Sequence, residues 1–74
     1  MPHVTPLTSL TLPLGRQLIE LHQIEFEAGG MALLRVRIRE GNRFTVFDAD
    51  PASVRTWAEA MLAWVATQEK APGT

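Results

Sequence analysis

The chain has 74 residues, a formal net charge of −1 and no cysteine. This length allows one domain with a thin core, and the lack of cysteine excludes disulfides, thiolate metal sites and cysteine nucleophiles. The charge balance provides no general attraction to nucleic acid or to an anionic membrane, and no apolar run approaches the roughly 20 residues of a membrane span.

The N-terminal segment is expected to be a loose tail. Residues 1–6 contain two prolines and no periodic pattern, and they lack the basic stretch and apolar core of a signal peptide. Without a leader or a membrane span, we expect a cytoplasmic protein. The predicted organisation is a flexible tail over residues 1–6, one domain over residues 7–68 and a second flexible tail over residues 69–74.

Alternating apolar and polar residues predict four strands. The alternation is clearest in the run Leu34-Arg35-Val36-Arg37-Ile38-Arg39. Strands are expected near residues 7–12, 17–27, 34–39 and 44–47, with turns at 13–15, 29–31 and 40–42. Short turns between successive strands produce an antiparallel meander.

Three-residue turns define the expected register. They pair Leu10 with Leu18, Ile24 with Val36 and Ile38 with Phe44. The even-numbered positions then share one face, which we expect to be the core: Leu10, Leu12, Leu18, Ile24, Phe26, Leu34, Val36, Ile38, Phe44 and Val46. The odd face is expected to carry arginines together with aliphatic residues.

A C-terminal helix is the clearest single element. Asp50-Pro51 is typical of a helix start, because the carboxylate can cap free amide groups and proline suits the first helical position. From Val54 to about Thr67 the apolar residues recur at helical spacing. The sequence therefore predicts an α+β fold: a four-stranded antiparallel β-meander followed by one C-terminal amphipathic helix packed on the sheet.

This predicted fold has more apolar surface than it can bury. One helix about 10–12 Å across cannot cover a four-stranded sheet roughly 15–19 Å wide. We therefore expect a small interaction or assembly module that forms a homodimer or binds another protein. The candidate interface residues are Leu21, Leu33, Phe47, Trp57, Met61 and Trp64. For the three helical residues, a ligand-binding aromatic patch is the alternative.

Arginines line one side of the third predicted strand. They are Arg35, Arg37 and Arg39, with Arg43 close by and Phe47 expected across from Arg35. Basic side chains beside an aromatic residue on an open sheet can hold single-stranded nucleic acid, which is the alternative function. The net charge disfavours it, and cross-strand pairing with Glu25 and Glu27 explains the arginines without a ligand.

The order of elements also resembles a known family. Four strands and a helix with a tryptophan near its start, over Gln17 to Val65, are similar to the small dimeric coactivators that bind single-stranded DNA. The matching features include Arg35-Val36-Arg37-Ile38-Arg39-Glu40 and Trp57. The resemblance implies a dimer that binds DNA. This chain departs from that family in having one lysine and an acidic balance.

The remaining polar residues have ordinary structural interpretations. His22 is expected opposite Ile38 with Glu20 beside it, and it is the exception to our expectation that the protein is not an enzyme. The acidic pair Asp48 and Asp50 is better explained by helix capping through Asp50 than by a metal. No cofactor-binding motif is present, so no cofactor and no metal site are expected.

Overall fold

The computed structural model describes residues 2–27 and 29–69. It contains β1 (His3–Thr11), β2 (Leu18–Glu25), β3 (Leu33–Glu40), β4 (Arg43–Ala49) and α1 (Pro51–Glu69). The strands form one antiparallel sheet in the order β1-β2-β3-β4, and α1 packs on the sheet through β3. The predicted fold class is therefore confirmed.

The first strand is longer than predicted. Residues 3–6, which we expected in the N-terminal tail, pair with β2 as far as His3 opposite Glu25. Pro6 is tolerated because β1 is an edge strand. The register shifts between Pro6 and Thr8, which leaves Leu7 as a bulge. The prediction of a loose tail is wrong for these residues.

The turn between β1 and β2 is one residue longer than expected. The Leu12 N–H donates to the Gln17 carbonyl at 2.9 Å, and the Arg16 N–H donates to the Leu12 carbonyl at 2.8 Å. Arg16 adopts a left-handed conformation with φ 58°, so the loop has four residues. Leu10 consequently lies opposite Ile19 rather than Leu18.

The other two connections also differ from three-residue turns. Gly41 and Asn42 form a two-residue turn, and Gly41 has φ 57°, as a type II′ turn requires at its first central position. This turn sets Phe44 opposite Arg39. β2 ends at Glu25 and β3 begins at Leu33, so the loop between them is longer, and Ile24 lies opposite Leu33 rather than Val36.

These shifts divide the expected even-numbered core between two faces, because directly paired residues share a face. We call one side the helix face, which carries the row Leu21, Val36 and Phe47. The other is the arginine face, with Arg35, Arg37 and Arg39. Helix-face apolar residues also include Leu10, Ile19, Leu34 and Ile38, whereas Leu18, Ile24, Phe44 and Val46 lie on the arginine face. The single-face core prediction is wrong.

The start of α1 agrees with the predicted cap. The Ser53 N–H donates to Asp50 Oδ2 at 3.1 Å, and the Ser53 hydroxyl donates to Asp50 Oδ1 at 2.6 Å. The helix continues to Glu69, two residues beyond the predicted end and one residue into the predicted C-terminal tail. Residues 70–74 of that tail lie outside the described residues.

Candidate functional site

The first half of α1 lies on the helix face. The Trp57 ring packs against Phe47 with a centroid separation of 6.1 Å and an interplanar angle of 50°. Phe47 belongs to the same row as Leu21 and the buried Val36. The structure therefore brings together three of the predicted interface residues: Leu21, Phe47 and Trp57.

Even where it packs on the sheet, α1 is poorly covered. Trp57 is 44% exposed, Met61 is 47% exposed and Trp64 is 64% exposed. No residue of the helix is buried, and only Val54 and Ala58 are half-buried. These exposures match a helix that touches its own sheet through its first turns and presents its second half to solvent.

A groove of about 700 Å³ separates part of α1 from the sheet. Its apolar lining includes Leu7 and Leu33 from the sheet side and Val54, Ala58 and Leu62 from the helix. Leu33 has the parity of the arginine face, opposite Ile24, but it borders this groove at the start of β3. Leu33, the remaining predicted interface residue, is thus adjacent to the helix, but it does not belong to the row of Leu21, Val36 and Phe47.

The chain as a whole exposes unusually much surface. Its accessible area is 6101 Å², whereas a compact monomer of 8.2 kDa exposes roughly 4,500 Å². The radius of gyration is 15.2 Å, compared with about 11 Å for a compact domain of this length. Among the described residues, only Ile24 and Val36 form the buried apolar core. The single chain therefore leaves most of its large apolar side chains exposed to solvent.

On the arginine face, Arg35 is paired with Asp48. Its Nε and Nη2 donate to the two carboxylate oxygens at 2.8 and 2.9 Å, a bidentate geometry. These hydrogen bonds from Arg35 lower the pKa of Asp48 below 3.8 and raise the pKa of Arg35. The prediction that Glu25 and Phe47 lie opposite Arg35 is wrong. β2 is shifted by three residues, so that Arg35 faces His22, and β4 is shifted by one residue, so that it faces Asp48.

The other two arginines gather around Phe44. The guanidinium carbon of Arg37 lies 4.6 Å from the ring centroid, and that of Arg39 lies 5.7 Å from it. Arg37 is also 3.8 Å from Glu20. Our sequence interpretation placed Phe44 in the core and missed this cluster. The sequence signal for it was the Gly41-Asn42 dipeptide, since a two-residue turn sets Arg39 opposite Phe44.

The structure separates the remaining candidates. Arg43 lies opposite Glu40, on the helix-face side of the sheet and away from the arginine stripe. His22 lies opposite Arg35 rather than Ile38, and Glu20 lies opposite Arg37.

Within the described ranges, no three His, Cys, Asp or Glu side chains are grouped as a metal site would need. In the same ranges, no helix has the length and apolar character needed to cross a bilayer.

Together, these features define a small α+β domain that offers two unlike surfaces on one sheet, an apolar helix face and an arginine face. A family model described as a family of unknown function, DUF6967, matches residues 1–67, and the chain belongs to this family. No curated protein and no solved structure matches the chain.

Proposed function

We propose that this protein is a cytoplasmic, non-enzymatic assembly module that forms a homodimer through its helix face. The observation that carries the proposal is the accessible area of 6101 Å², with two buried apolar residues in the part of the chain that the structure describes. A chain with so little covered apolar surface gains little of the hydrophobic stabilisation on which folded domains depend.

The surplus area agrees with what a stable dimer needs. It amounts to about 1,600 Å² per chain relative to a compact monomer. A standard interface takes roughly 800 Å² from each partner, and permanent dimers take about 1,000–2,500 Å² from each. The surplus is therefore as large as the area that a partner covers in a standard interface.

The distribution of exposed side chains favours the helix face. Five large apolar residues of α1 are exposed, and they are Trp57, Met61, Leu62, Trp64 and Val65. Exposed Leu10 and Phe47 lie on the adjoining sheet. The centre of the arginine face instead holds the Arg35–Asp48 pair and Arg37, charges that are depleted at interface cores.

A second copy is the occupant that suits this face best. The sheet lacks cover beyond the reach of its own helix, and the second half of α1 lacks a sheet to pack on. Each copy therefore supplies an uncovered sheet surface and an uncovered half of α1, and these two surfaces can pack against each other. Two copies related by a twofold axis satisfy both needs at once, as isologous interfaces do.

Sedimentation equilibrium of the purified full chain tests the proposal. We expect a species of twice the 8.2 kDa chain mass at micromolar concentration. The tryptophan emission should shift to shorter wavelength as concentration rises, because Trp64 becomes covered. A single species with the mass of one chain at high micromolar concentration would refute the homodimer.

A further inference from the structure

The cluster around Phe44 lies on the side of the sheet that α1 does not cover. Phe44 pairs directly with Arg39, and Arg37 is the next residue of β3 on the same face. Both guanidinium groups lie within 6 Å of the ring, at 4.6 and 5.7 Å, and Phe44 is 50% exposed. An aromatic surface and two cations therefore occupy one open patch.

The charges of this patch are incompletely balanced. Arg35 is fully engaged by Asp48, and the contact between Arg37 and Glu20 is long, at 3.8 Å. Arg39 donates to the Gly41 carbonyl at 3.2 Å, and among the described residues no carboxylate forms an ion pair with it. The arginines of this face outnumber its two carboxylates, although the whole chain carries a net charge of −1.

A shallow depression of about 360 Å³ adjoins the ring. It is lined by apolar Val4 and Val46, by Phe44, and by His22, Arg35 and Arg37. Apolar walls, an aromatic edge and cationic rims suit a planar group that carries negative charge on either side. A run of aspartate or glutamate residues matches the charges but supplies no ring to stack on Phe44.

We propose that the arginine face binds single-stranded nucleic acid at the Phe44 cluster. One base packs against the exposed part of the Phe44 ring, and the flanking phosphates are bound by Arg37 and Arg39. The proposal does not require the homodimer, because the helix face and the arginine face are opposite sides of the sheet. A dimer joined through its helix faces presents this patch outward on both copies.

Titration of labelled oligothymidylate and oligouridylate with the full chain, followed by fluorescence anisotropy, tests the proposal. Binding should be measurable at low salt and should weaken as salt rises, because phosphate contacts release counterions. Phe44→Leu keeps an apolar side chain but removes the ring, and it should weaken binding about 5-fold to 150-fold, the range for one base–aromatic stack. The thymidylate and uridylate arms show whether DNA or RNA is preferred, and either result supports the site.

Two arginine variants provide the matched comparison. Arg39→Gln should weaken binding and reduce the steepness of the salt dependence, because one phosphate contact is lost. Arg43→Gln removes the same charge from the opposite face, where it touches no bound phosphate. At physiological ionic strength it should therefore weaken binding clearly less than Arg39→Gln does. Circular dichroism verifies that each variant is folded, and Arg39→Gln keeps the test decisive if Phe44→Leu does not fold.

Three results would overturn the proposal. The first is no binding of either oligonucleotide at low salt. The second is an equal loss of affinity in Arg39→Gln and Arg43→Gln, which would indicate attraction by charge alone. The third is binding of polyglutamate as tight as that of the oligonucleotides, which would identify an acidic protein segment as the partner.

Discussion

Replacing Trp64 by glutamate is the sharpest perturbation of the proposed dimer. Trp64 is 64% exposed in the single chain, so about 160 Å² of its roughly 250 Å² surface remains for a partner to cover. Full coverage is worth about 4 kcal/mol per copy at 25 cal/mol per Å². A dimer that covers half of this area loses about 2 kcal/mol per copy, so the dissociation constant rises about a thousandfold.

The matched control is Leu14→Glu. Leu14 is fully exposed in the turn between β1 and β2, so this variant introduces the same charge at an apolar position remote from α1. Sedimentation equilibrium should show a Trp64→Glu monomer at concentrations where the wild type and Leu14→Glu are dimers. If Trp64→Glu keeps the dimer mass and affinity of the wild type, α1 does not form the interface.

Three further predictions concern the stability of the fold. Asp48→Asn should lower the melting temperature at neutral pH and flatten its acid dependence. Because Arg35 lowers the folded pKa of Asp48 below 3.8, the pair stabilises the fold above that pH, and this stabilisation is lost as the pH falls through the folded pKa. Asp50→Ala should lower the helical circular dichroism signal and the melting temperature, because Ser53 loses its capping partner. Gly41→Ala should cost about 1 kcal/mol, or about 4–8 °C in melting temperature, because Gly41 has φ 57° while a Cβ there meets nothing within 4 Å. A neutral effect of Gly41→Ala in thermal melts would contradict the strain explanation.

The order and type of the elements were predictable because they depend on local pattern. The alternation in β3 and the Asp50-Pro51 helix start both appear in the structure at the expected positions. The register was not predictable by the same means, because it depends on the exact length of each turn. Arg16 rather than Gly15 adopts the left-handed conformation, and nothing in the residue types marks an arginine for that role.

The register errors explain which parts of the site were missed. A shift of one residue between β3 and β4 exchanges the partner of Arg35 from Phe47 to Asp48 and sets Phe44 against Arg39. The arginine stripe itself was visible, because it lies within one strand and needs no pairing. Its aromatic neighbour and its carboxylate partners come from other strands, so only the correct register identifies them.

The inference of a partner surface does not depend on the register. It depends on how much apolar area the chain carries and how much one helix can cover, and exchanging the two faces changes neither quantity. The correct register strengthens it, because Ile24 and Val36, which are the buried apolar residues of the described segments, lie on opposite faces. Neither face therefore assembles a core of its own. On the helix face, α1 and the sheet are both only partly covered, so a second copy would bury the most apolar area there.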